Sequence, residues 1–127
     1  MSPLAAAVYR ILRTRLAEGD PRITYAELAR RLRDKNDAFE NITHRSQQLY
    51  AALCDVGSFC KQLRLPPLPA LVVRADTRRP GDAYYEDMPH RYRGERIAAW
   101  RRDLEAVRQA DFPRLSSKLV AKLTSDE

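Results

Sequence analysis

From residue 65 to residue 69 the chain reads Leu-Pro-Pro-Leu-Pro, and no α-helix can run through that stretch. A proline lacks the amide N–H that a helix interior needs, and its ring clashes with the carbonyl one turn back. The residue before each proline is pushed towards extended geometry. The chain is therefore divided into a leading part, which must finish its helices before residue 65, and a trailing part that starts afresh in an extended conformation.

The leading part carries three helical patterns. Ser2 followed by Pro3 reads as an N-cap with proline at the first helical position. Leu4, Val8, Ile11, Leu12 and Leu16 then recur at helical spacing, and Gly19 is placed to stop the run. These signals predict a first helix over residues 3–18, with Arg10, Arg13 and Arg15 on an outer face. Ile23 forms a short extended step. Thr24 and Glu27 make a Thr-x-x-Glu capping box that opens a second helix, with Leu28, Ala29 and Leu32 inward and Arg30, Arg31 and Arg33 outward, ending near Asp34. Residues 35–42 have no period and read as a loop, with Phe39 turned back onto the core. A third helix is expected to open near Thr43, with Leu49, Leu53, Val56, Phe59, Cys60 and Leu63 as its apolar stripe. Gly57 interrupts that stripe at a cost of about 1 kcal/mol relative to alanine, which a close helix crossing would explain.

After the prolines, residues 70–74 predict a strand, residues 76–82 a turn, and residues 83–85 a returning strand. Ile97, Trp100, Leu104 and Val107 mark a helix over residues 95–110, stopped by Phe112 and Pro113. Residues 115–123 have the spacing for a further short helix, and the chain end is expected to be disordered. The predicted fold class is mainly α with a small β-hairpin: a winged helix-turn-helix plus a C-terminal helix. Residues 1–113 would form one domain and residues 114–127 a partly helical tail.

A length of 127 residues suits a single core. No apolar run approaches the roughly 20 residues that span a bilayer. Residues 1–8 look superficially like a signal core, but they lack a basic leader and are interrupted by Tyr9 and Arg10, so a cytoplasmic address is expected. The net charge of +6 and a pI near 9.7 favour a polyanionic partner such as nucleic acid. The preference for arginine over lysine suits bidentate phosphate and guanine contacts and is equally a mark of a GC-rich genome.

In a winged helix-turn-helix the third helix enters the major groove and the hairpin flanks it. The start of the third helix carries Thr43, His44, Arg45, Gln47 and Gln48, side chains of the kind that read base edges and phosphates. A helix N-terminus adds free backbone N–H groups for a phosphate. The expected wing carries Arg74, Arg78 and Arg79, suited to phosphates or a minor groove. The competing interpretation is that polar residues crowd most first turns and arginines decorate most turns of such a chain.

The segment Ile23-Thr24-Tyr25-Ala26-Glu27-Leu28-Ala29 resembles the stretch that opens the second helix in the DNA-binding half of O6-alkylguanine-DNA alkyltransferases and alkyltransferase-like proteins. The resemblance implies that Tyr25 corresponds to that family's DNA-reading tyrosine and that Arg45 is the nearest candidate for its base-displacing arginine. The family's Pro-Cys-His-Arg-Val-Val motif is missing. Matching its valines to Val72 and Val73 puts Pro69 at the cysteine position, with no His or Arg after it. Over most of its length the chain is also similar to small uncharacterised bacterial and prophage-type proteins. The shared features are Thr24 to Ala29, Leu65 to Val73, Pro80-Gly81 before Tyr84-Tyr85, and the late tryptophan helix. That likeness implies a fold and carries no activity.

Catalytic chemistry finds little support. Cys54 and Cys60 lie six residues apart in a helix, on different faces, and read as reduced, partly buried thiols. Two histidines, His44 and His90, provide no zinc-ligand spacing. Glu86, Asp87 and His90 could serve a metal-dependent nuclease, but adjacent loop carboxylates are usually just solvated. Trp100 reads as a core anchor, and Tyr84 and Tyr85 should face opposite sides of a strand. The expectation is a non-catalytic DNA-binding module without cofactor or metal, a regulator or accessory factor of mobile-element or defence origin. The alternative is a protein-interaction module or inhibitor that binds a host or phage protein. A homodimer through the C-terminal helices would accompany an exposed apolar face on the tail.

Overall fold

In the computed structural model, which describes residues 1–85 and 93–119, Ser2 caps the first helix as its sequence requires. The Ser2 hydroxyl accepts the Ala5 N–H at 3.1 Å, and α1 (Pro3–Arg15) buries Ala5, Val8, Tyr9, Ile11 and Leu12. The α-helical bonding ends at Arg15, earlier than expected. Three bonds of the i to i+3 kind, ending at Glu18, then tighten the chain into a narrower turn. Two of the three arginines expected outside are used as straps. Arg13 donates to the carbonyl of Phe112 at 2.7 Å, and Arg15 donates to that of Arg22.

The Thr24 hydroxyl accepts the Glu27 N–H at 3.1 Å and starts α2 (Tyr25–Lys35). Only this half of the capping box forms, because the Glu27 carboxylate pairs instead with Arg30 and Arg31. Asn36 ends the helix and caps the 3₁₀ turn Asp37–Phe39, whose Phe39 ring packs on the core.

The third helix, α3 (Gln47–Gln62), opens at Ser46 rather than near Thr43. Side-chain bonds decide this. The Thr43 N–H donates to the Ser46 hydroxyl at 2.9 Å and the Arg45 N–H to the Thr43 hydroxyl at 3.2 Å, so residues 43–46 are held as a turn. The buried face of α3 packs mainly on α1, with Tyr9 edge-on to Phe59 at 5.2 Å. Cys60 is buried as expected, but Cys54 is exposed. No close helix crossing occurs at Gly57.

The proline-rich segment ends α3 and then coils into a 3₁₀ turn, Leu68–Leu71, before the two-residue strand β2 (Val72–Val73). Here the structure corrects the expected hairpin. β2 pairs in parallel with β1 (Ile23–Thr24), Ile23 opposite Val72 and Thr24 opposite Val73. The returning strand does not form. Residues 83–85 belong to the 3₁₀ turn Asp82–Tyr85, closed by the Tyr84 N–H on the Gly81 carbonyl. Pro80 has no N–H to offer a ladder, and Arg78 holds a φ of +59°, which turns the chain away. The loop is closed instead by two backbone bonds, the Arg74 N–H on the Arg79 carbonyl at 2.8 Å and the Arg78 N–H on the Arg74 carbonyl at 2.9 Å. Tyr84 and Tyr85 accordingly do not alternate. Tyr85 is buried, and Tyr84 is half-buried with its hydroxyl on Asp103.

The next helix, α4 (Arg93–Gln109), is anchored by Trp100, which is 4% exposed and donates its indole N–H to the Ala70 carbonyl at 2.8 Å. The chain then crosses α1. The Tyr9 hydroxyl donates to the Pro113 carbonyl, and Phe112 is buried. Leu115 and Leu119 are partly buried against the same core, and residues 117–119 are helical. No helix among the described residues is long and apolar enough to cross a membrane.

Candidate nucleic-acid interface

Of the nine residues singled out by the sequence, five lie at the start of α3. Thr43, His44, Arg45, Gln47 and Gln48 are all exposed. The Ser46 hydroxyl would ordinarily cap the helix, but it is turned back to accept the Thr43 N–H and makes no cap bond. The start of α3 therefore has no side-chain cap, beside the partial positive charge of a 16-residue helix. Arg45 takes part in no ion pair among the described residues. A turn of this kind can hold an anion by backbone and guanidinium together.

Arg74, Arg78 and Arg79 lie in the loop after β2. Arg74 is exposed but makes a two-point contact with Asp76, at 2.9 and 3.1 Å, so part of its charge is neutralised locally. Those bonds hold the Asp76 carboxyl below its usual range. Arg78 lies 3.7 Å from Asp20, whose pKa is pulled down to about 2, mainly by its hydrogen bond from Arg22. Arg79 is half-buried, and its charge helps to stabilise an ionised Tyr85 against the opposing effect of burial.

The two groups are joined through tyrosines. Tyr25 is only 8% exposed, and its hydroxyl accepts the Gly81 N–H at 3.0 Å, which ties the end of the arginine loop to α2. Burial raises its pKa, and the Gly81 bond works against that. The Tyr25 ring lies 5.5 Å from that of Tyr50, whose hydroxyl donates to the His44 carbonyl at 3.2 Å. The structure thus places Tyr25 beneath the surface, as a link between the turn before α3 and the arginine loop. Tyr50 completes this link with Gly81 and was not singled out by the sequence, which marked Gly81 only as part of a turn. Tyr50 sits beside the apolar stripe of α3, and nothing in its spacing marks a contact to a carbonyl six residues back.

Glu86, Asp87 and His90 lie outside the described residues, and among the described residues no group of His, Cys, Asp and Glu is arranged to hold a metal ion. Comparison with protein-family models, with curated proteins and with solved structures finds no match.

Proposed function

We propose that the chain is a non-catalytic DNA-binding module in which the N-terminal turn of α3 enters the major groove and the loop carrying Arg78 and Arg79 lies along the flanking backbone. The observation that carries this reading is the uncapped start of α3, with Arg45, Gln47 and Gln48 exposed beside it. Base contact would be confined to that turn, because Asp55, two turns further along the exposed side, would repel the phosphates. Within this reading α2 and α3 act as a helix-turn-helix, and the loop after β2 takes the place of a wing without being a hairpin. The likeness to alkyltransferase-like proteins around Tyr25 agrees with it, with Tyr25 in a positioning role. A regulator or accessory factor of mobile-element or defence origin is the kind of protein that would use such a module. The alternative, a protein-interaction module, has less support, since Met1 is the one large hydrophobic side chain exposed among the described residues.

Fluorescence-anisotropy titration of a labelled random duplex tests the proposal. Arg45, Arg78, Arg79 and the start of α3 would engage about four phosphates, so affinity should fall roughly a hundredfold between 50 and 200 mM salt. The Arg45→Ala/Gln48→Ala variant should bind at least tenfold more weakly than the parent. Absence of binding at 50 mM salt, or equal binding by the variant, would contradict the reading.

A further inference from the structure

A cleft of about 600 Å³ opens between α3 and the proline-rich segment that follows it. Small-molecule sites typically enclose roughly 300–1,000 Å³. Tyr25, Tyr50, Pro67 and Pro69 are among the residues that line it, as are Lys61 and Arg64 at the C-terminal end of α3. No carboxylate lines it among the described residues. The single phenolic proton of Tyr50 is already donated to His44, so that residue offers its ring face rather than its hydroxyl.

Two lining residues are poor choices for their local positions. Gly57 lies well inside a 16-residue helix, where only proline is worse. Packing does not require it, because a Cβ there would meet Pro69 Cγ at 3.9 Å, an ordinary contact, with nothing nearer. What the glycine does is keep a side chain out of the cleft. Arg64 occupies the residue just past the end of α3, with φ +58° and with the Leu65 N–H on the Cys60 carbonyl. Glycine is the usual residue at that left-handed position. The chain carries a cation there instead, and neither Arg64 nor Lys61 is in an ion pair among the described residues. Strain and unneutralised charge gathered at one concave place point to binding.

We infer that this cleft binds a small amphipathic anion. Its flat apolar body lies between the tyrosine rings and the prolines, and its carboxylate, sulfonate or phosphate head lies against Lys61 and Arg64. This inference does not depend on the DNA-binding reading.

The test uses two probes with the same ring system, 8-anilinonaphthalene-1-sulfonate and the uncharged N-phenyl-1-naphthylamine. The sulfonate should bind saturably, one per chain. Lys61→Gln/Arg64→Gly should weaken it at least tenfold while changing the neutral probe less than twofold. Gly57→Leu should abolish binding of both. Saturating sulfonate should slow alkylation of the exposed Cys54, which lines the cleft, at least fivefold, with buried Cys60 as the unreactive control. The charge variant and the alkylation assay decide the matter even if Gly57→Leu does not fold. Sulfonate binding indifferent to the charge variant, Cys54 alkylation unchanged at saturation, or no saturable binding would each overturn the inference.

Discussion

Arg64 and Arg78 are the two non-glycine residues with positive φ among those described, and both are arginines. Holding an L-residue in that region costs about 1–2 kcal/mol, because Cβ crowds the following carbonyl. Arg64→Gly should therefore raise stability by about 1 kcal/mol in a urea melt, since the Arg64 side chain is in no ion pair among the described residues. A loss of stability would mean that the Arg64 side chain packs favourably. Glu27 makes a different kind of residue-scale prediction. Hydrogen bonds from Arg30, then Arg31, pull its pKa from 4.5 down to about 2. A depressed folded pKa means that the stabilisation is present above the ordinary carboxylate range and lost as pH falls towards 2. Because the pairs are exposed the energetic effect is small, and the titration itself is the measurement. The side-chain carboxyl resonance of Glu27 should titrate near pH 2 in the native protein. Arg30→Ala should move it part of the way back, since Arg31 remains.

At the scale of elements, what was legible in the sequence is what is local. Ser2 with Pro3, Thr24 before Glu27, and the spacing of Leu28, Ala29 and Leu32 each act over a turn or two, and α1 and α2 begin where those signals place them. The start of α3 was misread by a few residues because Thr43 and Ser46 are both competent caps. The outcome depends on which hydroxyl takes which N–H, a choice that no sequence pattern encodes. The β pair was misread for another reason. Val72 and Val73 were legible as strand residues, but their partner is Ile23–Thr24 on the far side of α2 and α3, and alternation says nothing about a distant partner. Trp100 was legible as an anchor, while its bond to the Ala70 carbonyl was not. Trp100→Phe would leave that carbonyl unpaired and remove ring volume from the core. The expected cost is about 2 kcal/mol, read by circular dichroism in a denaturant series, and a change below 0.5 kcal/mol would remove α4 from the account of the core.

Across the whole molecule, long-range polar bonds hold the pieces together. The Tyr9 hydroxyl and the Arg13 guanidinium reach the carbonyls of Pro113 and Phe112, joining the two ends of the described chain, and burial pushes the Tyr9 pKa up to about 12. These contacts explain why the basic face expected on α1 is partly consumed. The Tyr25, Tyr50 and Gly81 link does the same for the candidate interface, since it brings the turn before α3 and the arginine loop to neighbouring tyrosines. The residue types of the candidate site were legible in the sequence as polar and basic clusters. Their juxtaposition was not, because it depends on two rings, Tyr25 buried and Tyr50 half-buried, that look like core.

The account stands or falls on whether DNA meets that juxtaposition. The most direct measurement is a titration of the ¹⁵N-labelled chain with a short duplex, following backbone amide shifts. DNA bound at this face should give the largest changes at Arg45, Gln47 and Gln48 and a second set at Arg78, Arg79 and Gly81, with α4 unmoved. Shifts centred on α4, or none at all at low salt, would contradict it.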